Sequence, residues 1–279
     1  MGETKRQHYV PVCYLKNFSE DGIRVHAFLK KHNLNKLIGI HDLCCEKDFY
    51  TIDSEFVASG KDKLELENEY WAKEERALIE VLSYFSSLYE RISNYPNSST
   101  WDCTKDEKHK IARSITKMFL RGKRVRNLSE AYFKYIENLN PNKLTHDKAL
   151  FHARQFYTNE EESEELIADL VSGNWTLFIS ENNPFITSDN PVCVVRPNTT
   201  MLGILGEKPS ITYFPVSSNM LIEIKLESNR QSFVDSAVIA QATLTQEMMN
   251  NNHQFLFANN FVISKDKGHL IQLINKISN

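Results

Sequence analysis

The chain has 279 residues, of which 41% are hydrophobic, 25% charged and 11% aromatic, with a formal net charge of −3. That balance excludes a disordered chain, a collagen and a coiled-coil array, and the length suits one large domain or two ordinary ones. No run of 18 apolar residues is present to cross a bilayer.

The opening Met1-Gly-Glu-Thr-Lys-Arg-Gln-His8 lacks the apolar stretch of a secretory signal, and Arg6 stands where a myristoylation motif wants Ser or Thr. Pro11 forces Val10 extended and suits the start of a helix through Phe18, so His8 sits at a strand-to-helix junction. Residues 23–29 and 48–52 have strand character. Over residues 64–92 the period is helical, with Trp71, Leu78, Leu82, Phe85, Tyr89 and Ile92 on one face. Residues 96–100 form a loop. Thr104 and Glu107 are then spaced as a capping box for a helix that turns Ile111, Ile115 and Met118 inward and meets Gly122. Asn140-Pro-Asn142 is a break, followed by short helices over 144–156 and 160–172, the second ended by Gly173. Beyond it, short apolar runs separated by Pro184, Pro191, Pro197, Pro209 and Pro215 predict antiparallel strands. The chain closes with a helix over 231–250, a strand over 261–264 and a helix over 270–277. The expected fold class is α+β: a helical middle packed on a mostly antiparallel sheet made by the N- and C-terminal segments. One domain of residues 1–279 is expected, with 64–172 as its helical subdomain.

Several function classes are excluded by motif. The nine glycines form neither GxGxxG nor GxxxxGK[ST], so both common phosphate-cradling loops are absent. The five cysteines have no CxxC spacing, which disfavours zinc and disulfide scaffolds and fits a reduced cytoplasm. Histidines other than His8 show no ligand spacing and read as surface or core fillers.

Four places carry polar groups where the pattern calls for apolar ones. His8 can act as a general acid, a general base or a ligand. At 100° per residue, Glu67, Trp71, Glu74 and Leu78 lie within about 60° of one another, so two acids fall in the apolar stripe, whereas Glu75 lies outside it. The first turns overhang the core and let Glu67 reach water, which leaves Glu74 as the candidate. Nine Lys or Arg fall between Lys105 and Arg126. Lys110, Arg113, Lys117, Arg121 and Arg124 lie within roughly 80° on one helix face, suited to a phosphate backbone or to the six acids of residues 160–169. Arg121, nearest the apolar side, is expected to be partly buried. Finally, Phe185-Ile-Thr-Ser-Asp-Asn-Pro-Val192 turns sharply between buried runs. Asp189 and Asn190 either build an Asx-turn or project with Ser188 into a cleft.

Lys5-Arg-Gln-His-Tyr-Val-Pro11, Tyr14-Leu15 and Phe18, Asp48-Phe49-Tyr50, Trp175 and the 185–191 motif together resemble domain-of-unknown-function family 4238 over nearly the whole chain. The resemblance implies small bacterial and prophage-associated proteins, some among anti-phage defence genes. By that similarity His8, Tyr9, Ser188, Asp189 and Asn190 match motif positions. Arg121 in Lys117-Met-Phe-Leu-Arg121 matches the arginine of a helical Gln-x-x-Arg element whose glutamine this chain lacks.

The expectation is a cytoplasmic anti-phage effector that cleaves phosphodiesters in nucleic acid. His8, Glu74, Arg121, Asp189 and Asn190 would be catalytic, and Tyr9, Lys117, Arg124 and Ser188 would bind substrate. Glu74 and Asp189 would hold a divalent metal such as Mg²⁺. The alternative is a non-enzymatic sensor or module that binds a phage or host protein.

Overall fold

The computed structural model describes residues 6–52, 62–94, 100–139, 149, 152–153, 160–181, 183–197, 203–228 and 236–278. Strand β1 (Arg6–His8) leads through extended Pro11 into α1 (Val12–Leu15) and a 3-10 turn, Lys16–Phe18. This short helix is anchored at long range. The Tyr14 hydroxyl donates to the Pro215 carbonyl (2.7 Å) and lies 2.8 Å from Thr187 Oγ1, while Asn17 Nδ2 donates to the Val216 carbonyl (3.1 Å).

Strands β2 (Arg24–Leu29) and β3 (Leu34–Gly39) form a hairpin, and β4 (Cys45–Lys47) pairs antiparallel with β1. The expected strand over 48–52 does not form. Left-handed backbone at Cys44 (φ 52°) and Asp48 (φ 56°) confines the strand to Cys45–Lys47. The residues after it wrap around Gln7, whose Oε1 accepts from the Tyr50 amide and whose Nε2 donates to Thr51.

A π-helical turn (Leu66–Trp71) opens the long helix α2 (Ala72–Asn94). After β5 (Thr100–Asp102), helix α3 (Lys105–Arg121) starts on the expected capping box, Thr104 with Glu107. Helix α4 (Lys123–Leu139) follows directly, and α5 (Glu160–Val171) ends before Gly173. Most of the helix expected over 144–156 lies outside the described residues.

Strands β6 (Asn174–Ile179), β7 (Thr187–Ser188), β8 (Cys193–Val195), β9 (Ser210–Ser217) and β10 (Met220–Leu226) follow the predicted apolar runs. The helix expected over 231–250 is corrected. Ser236–Gln241 is a strand, β11, and α6 (Leu244–Phe257) begins only at a second capping box, Thr243 with Gln246. The run Ala-Val-Ile-Ala fits between β5 and β6, and that tertiary pairing overrides its local helical texture. Strand β12 (Phe261–Ser264) and helix α7 (Lys267–Ser278) complete the chain.

The fold is α+β, and its strands are mostly antiparallel. Among the described residues, the sheet that joins the two ends of the chain is the four-stranded one, β3-β2-β12-β7. The larger sheet, β5-β11-β6-β10-β9-β8, is built from C-terminal strands plus β5, with β11 and β6 parallel. One apolar cluster runs through Tyr14 and Phe18, through Trp71, Phe85 and Ile115, and into Trp175 and Ile222 of the large sheet. Each such side chain contributes about 1.5–3 kcal/mol on burial, so the helical middle and both chain ends are bound by the same interior. Among the described residues no helix is long and apolar enough to cross a membrane.

Candidate functional site

The last turn of α3 drives Arg121 under β1 and the turn that follows β4. Its side chain is 3% exposed. Nη2 donates to the His8 carbonyl (2.5 Å) and to Glu75 Oε1 (2.9 Å), and Nε lies 3.5 Å from the Tyr50 hydroxyl. That hydroxyl donates in turn to the Arg121 carbonyl (3.1 Å), and the guanidinium lies 4.5 Å from the Trp71 ring centre. Burial pulls the guanidinium pKa down, but Tyr50, Glu75 and Glu67 more than offset it. Arg121 is therefore a fixed cation.

Two titratable groups face this cation without being satisfied. His8 Nε2 is buried and has no hydrogen-bond partner among the described residues. Burial lowers the imidazole pKa, against a hydrogen bond from the ring to the His41 backbone and the nearby Glu75 carboxylate. The His41 ring stands edge-on, 6.4 Å away. Glu67 Oε2 is likewise buried and unpartnered, and burial pushes its pKa up to about 7, with Arg121 lowering it and Glu75 raising it. Near neutral pH this centre holds an unprotonated imidazole and a carboxyl group in partial protonation beside a permanent positive charge. Those are the parts of acid–base chemistry on an anion.

The π turn explains why the expected assignments of the acids changed places. Its i→i+5 hydrogen bonds underwind the helix, so Glu67, Trp71 and Glu75 share the Arg121 side although a regular period separates them. Glu67 is thus turned toward the site with Oε2 buried, while the residue as a whole stays partly exposed, in keeping with the expectation that it reaches water. Glu74 instead faces α3, where Arg113 grips it with Nη2 to Oε1 (2.7 Å) and Nε to Oε2 (3.3 Å). Its expected catalytic and metal roles are not supported by that geometry.

The basic row on α3 is also spoken for. Arg113 reaches Glu160 (3.4 Å) and Glu164 (3.3 Å), and His109 bonds Glu164 (2.9 Å). Lys117, almost fully buried, donates to Ser163 Oγ (3.0 Å). Arg124 is half-buried over Phe257, 6.0 Å from the ring centre. The acids of α5 cover much of the row, which leaves Lys117 and Arg124 inward as packing groups and not as substrate ligands.

The Ser188-Asp189-Asn190 motif does not project into a cleft and is not an isolated Asx-turn. It clamps the end of α6. Asp189 is fully buried, its two oxygens accepting the Asn259 and Asn260 amides (2.8 Å each). Burial pushes its pKa up to about 6, against those same amides. Asn190 Nδ2 donates to the Phe257 carbonyl (2.8 Å), a group left over at the helix C-terminus. Ser188 Oγ donates to Gln254 Oε1 (2.7 Å), and Gln254 Nε2 donates to the Pro191 carbonyl (2.8 Å).

Consequently the expected meeting of His8 with Asp189 does not occur. Adjacent residues of an extended strand point to opposite sides. Tyr9, fully buried against Phe49 (5.4 Å between rings), is the residue in electrostatic reach of Asp189, whereas His8 turns to Arg121, Glu75 and His41. Nor do Glu74 and Asp189 suit a divalent cation, because all four oxygens are already engaged by N–H donors and the two share no partner. Among the described residues no group of three or more His, Cys, Asp or Glu is arranged to hold a metal ion.

A family model described as "Protein of unknown function (DUF4238)" matches residues 6–268. The chain belongs to the DUF4238 family. Neither the curated proteins nor the solved structures gave a match. The motif residues of this DUF4238 chain thus divide into two groups: His8 and Arg121 build the unsatisfied centre, and Ser188, Asp189 and Asn190 build the clamp. Sequence reasoning missed Glu67 and Glu75 as members of the centre. No regular helical period signals the pair, because the π turn over Leu66–Trp71 brings them together.

Proposed function

We propose that this DUF4238 chain is an anti-phage defence effector that hydrolyses phosphodiester bonds in nucleic acid, with the Arg121 centre as its active site. The observation that carries the reading is the pair of buried, unpartnered atoms, His8 Nε2 and Glu67 Oε2, within electrostatic reach of one buried guanidinium. Glu75 has a side chain 34% exposed and is the contact to Arg121 that a phosphate displaces. His8, neutral, takes the proton of the attacking water as its oxygen bonds to phosphorus. The P–O bond to the leaving oxygen breaks, and protonated Glu67 supplies that oxygen with a proton. Arg121 offsets the charge gathering on the phosphoryl oxygens.

The test is incubation of purified protein with labelled single- and double-stranded RNA and DNA, with and without EDTA. Cleavage by wild type and its loss in His8→Ala support the reading. Full cleavage or full phage protection by His8→Ala removes His8 from the chemistry. One observation favours the second reading, a non-enzymatic module that binds a phage or host protein: the α5 acids leave little of the basic row on α3 to follow a polyanion. Under it, His8→Ala and Glu67→Gln both keep full protection.

A further inference from the structure

A second polar centre lies between α6 and α7 and shares no residue with the Arg121 centre. Helix α6 is laid on the chain with its polar face inward. Glu247 Oε1 accepts from Ser180 Oγ (2.5 Å), Asn251 Oδ1 accepts from the Ile186 amide (3.0 Å), and Asn251 Nδ2 donates to the Pro184 carbonyl (3.3 Å). Several of its apolar residues are turned outward: Leu244, Met248 and Leu256 are 58%, 38% and 50% exposed. Opposite them α7 presents Leu273 and Ile277. Between the two helices is a cavity of about 330 Å³, within the size range of small-molecule sites.

Leu244, Met248, Leu256, Leu273 and Ile277 form the apolar part of the cavity wall, amides and Lys276 share the lining, and Glu247 is its one buried charge. Glu247 lines it at 4% exposure. Its carboxylate receives the single Ser180 hydroxyl, and no cation among the described residues pairs with it. His269, also lining the cavity, accepts from Asn251 Nδ2 (3.1 Å), and burial lowers its pKa, so it stays neutral and leaves Glu247 uncompensated. The other charged groups around His269 are Asp266 and Lys276, which also lines the cavity but is exposed and makes no ion pair with Glu247. A buried carboxylate with one neutral donor is short of a positive partner. We propose that this cavity binds a small organic cation, a primary ammonium on an apolar stem, with the ammonium on Glu247 and the stem between Met248, Leu256 and Leu273. The ammonium brings charge-assisted hydrogen bonds, and the stem covers apolar surface that α6 otherwise leaves to water.

Calorimetric titration of the full chain with hexylammonium, 1-hexanol and hexanoate tests this. Hexylammonium is expected to saturate one site at least about tenfold more tightly than hexanol, with hexanoate weakest. Glu247→Gln is expected to bring hexylammonium to the level of hexanol, and Met248→Trp, which fills the cavity, to abolish both. Equal binding of the three probes, no saturable binding, or undiminished hexylammonium binding in folded Glu247→Gln overturns the proposal. Should Glu247→Gln fail to fold, retention of binding by Met248→Trp overturns it and loss supports it.

Discussion

The clamp at the end of α6 and the centre at the end of α3 are both buried, both polar and both built from motif residues, yet they are finished differently. In the clamp the donors and acceptors of Ser188 and Asp189, and the Asn190 amide, are matched, mostly to backbone. In the Arg121 centre His8 and Glu67 each keep a buried atom without a partner. A saturated polar cluster lowers the energy of one conformation and has nothing left to offer a ligand. An unsatisfied one carries a cost in the folded chain that a bound group can remove. The difference teaches that burial and motif membership do not by themselves distinguish scaffold from site; what sets His8 and Glu67 apart is an unmet buried atom on a titratable group in the field of a fixed cation.

The largest expected effect belongs to the clamp. Asp189→Ala strips two buried amides of their acceptor and should cost about 3–5 kcal/mol in urea or guanidinium unfolding. Activity, where the variant stays folded, should persist. A stable Asp189→Ala chain with no activity breaks the contrast, because the aspartate would then serve the chemistry.

The next effect sharpens the other side. Glu67 titrates near 7 when folded against 4.5 when unfolded. Between those values the folded chain keeps a proton that the unfolded chain has released, so Glu67 weakens the fold as pH rises through that window. Glu67→Gln removes this loss. Its stability should exceed that of wild type by a margin that grows from pH 4.5 to 7 and reaches about 3 kcal/mol. Asp189 shifts in the same direction but is common to both chains, so the difference isolates Glu67. Parallel stability curves for the two chains would show that Glu67 is not strained. The smallest effect is that of Glu74→Ala. Arg113 keeps Glu160 and Glu164, so stability should fall by about 1 kcal/mol and activity should not change. A loss of activity there would restore the carboxylate role first expected of Glu74.

How much of this could be read from the chain follows from the range of the forces involved. The capping box at Thr104, the helical stripe from Trp71 to Ile92 and strand β2 are local patterns, and each appears as read. Burial of Arg121 was also legible, from its place at the margin of the apolar face. Strand β11 was hidden because only its neighbours β5 and β6 make it a strand, although the Thr243–Gln246 capping box marked where the helix had to start. The exchange of Glu74 for Glu67 and Glu75 depends on a π turn, which no regular period announces. The clamp was unreadable for a similar reason, since its partners at residues 254–260 lie some seventy positions away and are largely backbone.

The most direct measurement pairs cleavage with melting for His8→Ala. Its ring is only half-buried and one nitrogen bonds nothing, so removal should leave the melting temperature within a few degrees of wild type. Nucleic-acid cleavage should fall by about 100-fold or more. Undiminished cleavage by a folded His8→Ala chain would contradict the assignment of the Arg121 centre as the place where the chemistry happens.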